Sequence, residues 1–186
     1  EAMKLAQFPY IVFSDQRQTI SAGAIKKIVA PLQNPEIGAV SSILSAQDKK
    51  GKYSIIRIIE NYIKSKESHL GKLIGVYGPL YAIKKECYHT IPEDIILDDL
   101  YVSLQILKTK KIILHQDAII VDENCIQLYN YQRIKRYLKG LFQIAIQHNL
   151  IRKLPVKERW MLLWHKYLKL LIPISLFIAN ISVGIL

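Results

Sequence analysis

ESHLGKLIGVYGPLYAIKKECYHTIPEDIILDDLYVSLQIL, Glu67 to Leu107, decides how the rest of the chain is read. Three glycines, Gly71, Gly75 and Gly78, punctuate an apolar loop and let its backbone approach a ligand closely or take positive φ. A short strand-like run, Leu80 to Ile83, follows, then Pro92-Glu93-Asp94 and a turn, then the acidic pair Asp98-Asp99. Leu100, Leu104 and Leu107 recur at helical spacing. The pair therefore stands where a loop enters a helix, a place where free amides and the helix dipole favour anions. Two readings stay open from these residues alone: a cap on the helix, or a carboxylate placed for chemistry.

Working outward, Tyr10 to Ser14 reads as a short buried strand with Asp15 just beyond its end. In open α/β sheets ligands gather outside the carboxyl ends of strands, so Asp15 is either placed for chemistry or a turn residue before a helix following Thr19. Ser21 to Leu32 has helical spacing, and Gly38 to Leu44 reads as the next strand. Tyr53 to Ser68 has the pattern of a scaffold helix: Ile55, Ile56, Ile59, Tyr62 and Ile63 line one face, and Arg57, Asn61, Lys64 and Lys66 the other. Glu60 and Glu67 are expected in solvent or reaching the loop that follows, and Lys84 and Lys85 at a solvated edge. Lys110 to Leu114 and Ala118 to Val121 read as two further strands. This alternation predicts an α/β chain with a mixed or parallel sheet and helices on its faces.

The blocks Gly75-Val76-Tyr77-Gly78-Pro79-Leu80-Tyr81-Ala82-Ile83-Lys84-Lys85 and Ile91-Pro92-Glu93-Asp94-Ile95-Ile96-Leu97-Asp98-Asp99-Leu100 occur in a telling order. In that order the chain, over about residues 10–145, resembles the membrane-bound inverting family-two glycosyltransferases of the cellulose-synthase-like and poly-N-acetylglucosamine-synthase-like type. That family carries a glycine loop, "lyaiRr" and "lP.d.i.DD" in succession. The resemblance implies part of a GT-A-like (Rossmann-like) mixed sheet, with the nucleotide-binding strands expected upstream of Glu1. It makes Asp99 the general base and Asp98 its orienting neighbour, and it puts Gly75 and Gly78 in the loop lining the donor-sugar and acceptor pocket. Asp15 falls in the D-x-D-like position that holds a divalent metal, magnesium or manganese, on a nucleotide diphosphate; Arg17 replaces the second acid or Asn and removes one ligand. Arg133, Arg136, Gly140 and Gln143 match the family's "R..R...G..Q" form beside the diphosphate, whereas Q-x-x-R-W itself is not met, Tyr137 being the nearest aromatic.

Lys and Arg number 26 against 15 Asp and Glu, a net charge of +11, which suits phosphate, nucleic acid or lipid headgroups. Cys87 and Cys125 lie far apart without metal-ligand spacing, so no disulfide framework is expected, and His69, His89 and His115 form no ligand constellation. Leu128 to His148 reads as a basic amphipathic helix. Leu170 to Leu186 carries no charge and fits the start of a membrane helix, which needs about 20 apolar residues. Ahead of it come Arg152, Lys153, Lys157, Arg159, Lys166 and Lys169, with Trp160 and Trp164, so the positive-inside bias makes the preceding domain cytoplasmic.

The chain thus divides into residues 1–125, the carboxyl-terminal part of a catalytic domain; 126–150, an interfacial helix; 151–169, a juxtamembrane segment; and 170–186, a membrane-entering segment. The expected partners are a nucleotide-sugar donor, a polysaccharide or lipid-linked acceptor, and membrane lipids. Nucleic acid is ranked last, because the basic residues concentrate beside an apolar run and not among stacking aromatics. A catalytically degenerate, membrane-anchored assembly module is the alternative, favoured by Arg17.

Overall fold

The computed structural model describes residues 2–16, 18–47, 51–121, 131–146 and 150–168. After a short helix α1 (Ala2–Leu5), the chain runs through β1 (Tyr10–Ser14), β2 (Thr19–Ile20), α2 (Ala24–Val29), β3 (Ile37–Leu44), α3 (Ile55–His69), β4 (Leu80–Lys84), α4 (Asp98–Ile106), β5 (Lys111–Val121), α5 (Tyr131–Ile146) and α6 (Val156–Leu162). The strands form one mixed sheet in the order β1-β4-β3-β5-β2. β3 pairs parallel with β5, while β1 and β3 flank β4 antiparallel and β2 closes the edge antiparallel to β5.

Central β3 is buried on both faces, as its continuous run of small and apolar residues dictates. Its two serines are satisfied internally: Ser42 Oγ donates to Leu80 O at 2.7 Å, and Ser41 Oγ accepts from Tyr77 N at 2.8 Å. The core gathers Ile28, Leu32, Val40, Ile83, Ile112 and Ile120, each fully buried. Each such side chain contributes about 1.5–3 kcal/mol. α4 is buried nearly all round, through Leu100, Tyr101, Val102, Leu104 and Ile106, which fixes the helix carrying the acidic pair inside the domain.

Several expectations change. The region after Thr19 opens with the two-residue strand β2, and the helix predicted from Ser21 begins at Ala24. The two strands expected between Lys110 and Val121 are one strand; a register shift against β3 between Ser41 and Ile43 marks the polar His115-Gln116-Asp117 interruption. Lys84 is buried, its Nζ donating to Asn34 O at 2.9 Å, while Lys85 is exposed.

The largest correction concerns α3, which is turned inside out. Arg57, Lys64 and Glu67 are buried, whereas Ile55, Ile59 and Tyr62 are 73%, 54% and 63% exposed. Amphipathic periodicity assumes that the apolar stripe faces the helix's own core. Here the polar stripe does, because it has polar backbone to satisfy in the Gly71–Gly78 loop.

Among the described residues no helix is long and apolar enough to cross a membrane. Residues 170–186, where the membrane-entering segment is expected, lie outside them, as do Arg17 and Cys125.

Candidate active site

The loop between α3 and β4 is built by side chains that reach its amides. Ile74 N donates to Glu67 Oε2 at 3.0 Å, Val76 N to Ser103 Oγ at 3.1 Å, and Tyr77 N to Ser41 Oγ at 2.8 Å. Three elements, α3, α4 and β3, each supply one buried acceptor, so the loop is held from three sides. Lys64 Nζ donates to Gly75 O and lies 4.3 Å from the centre of the Tyr77 ring. Gly71 and Gly75 take φ of +68° and +87°, which side-chain-bearing residues rarely adopt. Gly78 has ordinary φ and is needed for closeness instead: a methyl group there would come within 3.1 Å of Asp99 Oδ2.

Asp98 and Asp99 occupy the first turn of α4. Asp98 is exposed, and Asp99 is partly enclosed, with Oδ1 accepting from Leu100 N at 2.7 Å. Ser103 Oγ donates to Asp99 O at 2.7 Å and so joins the helix to the loop residue Val76. Burial pushes the Asp99 carboxyl above the usual carboxylate range, and Asp98 adds to this; Lys166, the Leu100 amide and Lys64 oppose it. A raised carboxyl suits a proton acceptor working near neutral pH.

Asp15 joins the same place from the other side. Its backbone N donates to Pro79 O at 2.9 Å, so the Gly78-Pro79 turn is shared between the end of β1 and the start of α4. Stacking of Phe13 on Tyr81, with ring centres 4.7 Å apart, fixes this end of β1 against β4.

Residues distant in sequence complete the surroundings. The helix after α6 widens into a π turn, Leu163–Tyr167, a feature that often marks functional positions. Within it His165 and Lys166 both point inward. His165 Nδ1 lies 2.6 Å from Glu67 Oε1, and Lys166 Nζ would stand 3.7 Å from a methyl group on Gly75. Burial works against the Lys166 charge, but Tyr137, Glu60, Asp99 and Glu67 outweigh it and hold the ammonium above the ordinary lysine range. Lys64 goes the other way: burial, then the nearby Lys166, push it down to about 7. Lys64 and Lys166 thus stand among the carboxylates of Glu60, Glu67 and Asp99, so charge is closely balanced at this place. Glu158, ion-paired with Lys72, ties α6 to the same loop.

The arginine-bearing helix α5 is anchored beside this cluster. Gly140 packs so closely that a Cβ would meet Leu97 Cγ at 2.5 Å, and Tyr167 OH donates to Leu141 O at 2.9 Å. Gln143 is engaged with the loop before α4, accepting from Ile96 N at 3.1 Å and donating to Asp94 O at 2.7 Å. Arg136 is exposed, and Arg133 lies in the first turn of α5 with its side chain outside the described set.

The structure thus brings the end of β1 at Asp15 together with Gly75, Gly78 and Asp99, with Asp98 exposed beside them, while Gln143 on α5, expected at the diphosphate, spends its amide on the loop before α4. Periodicity did not single out Lys64, Glu67, Ser103, Tyr137, His165 or Lys166. Only Ser103 carries a signal, as a polar residue inside an apolar run. Among the described residues no three His, Cys, Asp or Glu side chains gather as a metal cage. Asp15 is nevertheless a hard oxygen donor at the end of β1 next to the Gly78-Pro79 turn, and magnesium-type ions are commonly held by one or two carboxylates plus substrate phosphates. The residues present fit that mode.

Comparison with solved structures finds a mannosyltransferase, PcManGT from Pyrobaculum calidifontis, in complex with GDP-Man and Mn2+, with a TM-score of 0.61 and 22% identity over 78% of this chain. The fold is GT-A-like. The chain spans 41% of the length of that mannosyltransferase. No family model matches the chain, and no curated protein matches it. The end of β1 meets the glycine loop through Asp15 N on Pro79 O, and the entrance of α4 meets it through Asp99 against Gly78.

Proposed function

We propose that this chain is the carboxyl-terminal part of the catalytic domain of an inverting glycosyltransferase. It moves a sugar from a nucleotide-diphosphate donor to a hydroxyl of a polysaccharide or lipid-linked acceptor at the cytoplasmic face of a membrane. One observation carries the reading: on a GT-A-like fold Asp99, its carboxyl raised by burial, is fixed against Gly78 with Lys166 as the strongest opposing charge.

In the proposed reaction the acceptor oxygen attacks the anomeric carbon while its proton passes to the Asp99 carboxylate. The bond from that carbon to the diphosphate breaks with its electron pair on the departing oxygen, and configuration inverts. A positioned base contributes about 10²–10⁴-fold. Lys166, with Arg133 or Arg136 on α5, restrains the negative charge that develops on the leaving group. Asp15 is the residue that would hold a divalent cation, which when bound supplies further neutralisation of the diphosphate. Asp98 supports the entrance of α4, and Gly75 and Gly78 let the sugar approach the backbone. Residues 126–150 lie at the membrane surface, 151–169 form the basic juxtamembrane segment and 170–186 enter the bilayer.

The test is Asp99→Asn in the full-length protein in native membranes, supplied with a panel of labelled nucleotide sugars that includes GDP-mannose. Transfer falls by about 10²–10⁴-fold while donor binding persists. Retained transfer removes Asp99 as the base. The second reading, a non-catalytic membrane-anchored assembly module, is favoured by Arg17 following Asp15. It gains ground if folded wild-type protein neither transfers nor hydrolyses any donor.

A further inference from the structure

Helix α3 presents to the outside the face that a helix ordinarily hides. Ile55, Ile56, Ile58, Ile59, Tyr62 and Ile63 are 36–73% exposed along its length. The patch extends at its ends to Tyr53 and Leu70, 67% and 56% exposed. Soluble monomers seldom leave contiguous apolar patches beyond a few hundred Å², and those that do use them for binding. The inversion is structural, since the opposite face of α3 is committed to the site through Lys64 on Gly75 O and Glu67 on Ile74 N and His165.

The chemistry of this face selects its occupant. It is aliphatic with one tyrosine, has no acidic side chain among its members, and is edged by the exposed Lys66, whose Nζ lies 5.3 Å from the Tyr62 ring centre. Apolar residues immersed beside cationic ones, in a chain of net charge +11, complement an anionic lipid surface. The neighbouring segment has the matching character. The element that packs on the inward face of α3 through the His165–Glu67 contact also exposes Trp160 and Trp164, 61% and 68%, and such aromatics favour the headgroup level.

We propose that the outward isoleucine face of α3 seats on the surface of a bilayer containing anionic lipid. This rests on the membrane reading above and adds a contact to it that the sequence pattern does not reveal. An interfacial helix ordinarily turns its polar face to water; α3 turns its polar face into the domain, which supplies the hydrogen-bond partners in water's place. Since a helix with its side chains is about 10–12 Å across, the Gly75 loop lies roughly one helix diameter from the lipid surface. That depth suits an acceptor hydroxyl borne at the interface.

The experiment labels Ile59→Cys with an environment-sensitive fluorophore in the full chain, in a Cys125→Ser background, Cys87 being buried. Gln33→Cys, an exposed position on the turn after α2, is the control. Both are mixed with phosphatidylcholine vesicles, with or without phosphatidylglycerol, containing nitroxide-labelled lipid. The expected result is several-fold stronger quenching at position 59 than at 33, greater with the anionic lipid. Equal quenching at both positions, with Trp160 and Trp164 quenched, overturns the α3 contact and leaves the membrane reading standing. A label at 59 already shielded without vesicles overturns it in favour of a protein cover, either a second copy or another part of the full-length protein. Failure of the chain to sediment with any vesicles overturns both readings.

Discussion

Asp99 Oδ2 fills the space that a side chain on residue 78 would need, with only 3.1 Å between it and a methyl group at that position. Gly78 has ordinary φ, so Gly78→Ala introduces no backbone strain, and its effect falls on the carboxylate, which must yield by a few tenths of an ångström. Misplacement of a reacting group by about 1 Å can cost 10²-fold, and a smaller shift less. We expect turnover to fall roughly ten- to a hundredfold, with the thermal midpoint nearly unchanged. Steady-state kinetics beside a melting curve checks this, and full activity would show that Asp99 tolerates displacement.

Gly140 makes a similar but tighter contact on the far side of α4. A methyl group there meets Leu97 Cγ at 2.5 Å and Leu97 Cδ1 at 2.9 Å, immediately before the acidic pair. Overpacking of this kind costs about 1–3 kcal/mol. Gly140→Ala should therefore lower stability by that amount and reduce transfer, because α5 can no longer hold the loop through Gln143. Adding Leu97→Ala opens the space, so the double variant is expected to be more stable than the sum of the single changes predicts. Denaturant unfolding of the four proteins measures the coupling.

Lys64 carries a prediction about pH and stability. Burial pushes its ammonium down to about 7, below the ordinary lysine value of 10.5 that the unfolded chain retains. Below about 7 both states hold the proton and the folded state bears the buried charge in full. Above it the unfolded state binds one more proton than the folded state, so stability from this group rises with pH by about 1.4 kcal/mol per unit until the unfolded lysine titrates. Lys64→Met removes the titration while keeping much of the packing. The stability difference, wild type minus variant, should thus increase from pH 7 to 9; a flat difference would mean that Lys64 stays charged.

The blocks that announced the site were legible because they are local. A strand ending in Asp15, glycines at 75 and 78, and acids at 98 and 99 each impose a backbone requirement on their own neighbours, and in the structure these stretches adjoin through the Gly78-Pro79 turn. The central strand was equally plain, since Ile37–Leu44 has no face that tolerates charge. What was hidden is the non-local part. Lys64 and Glu67 look like the solvated side of an amphipathic helix, and only the presence of a loop with amides to satisfy turns that side inward. Lys166 stands nearly seventy positions after Asp99 in a basic stretch that reads as headgroup contact. Its inward course depends on a π turn, and side-chain periodicity carries no mark of that.

Lys166 offers the most direct test of how Asp99 is tuned. Burial raises the Asp99 carboxyl, and Lys166 is the strongest influence that lowers it again. A base must be deprotonated to work, so activity rises as pH passes upward through the Asp99 value. Removing the ammonium in Lys166→Met takes away the opposing charge and lifts that value further. The acid limb of the kcat/KM profile should then move to higher pH, beyond any loss of maximal rate from weaker restraint of the diphosphate. Lys166→Arg keeps the charge and should hold the limb near its wild-type position. A purely structural lysine would lower the plateau and leave the limb where it was, so the position of the limb separates the two roles.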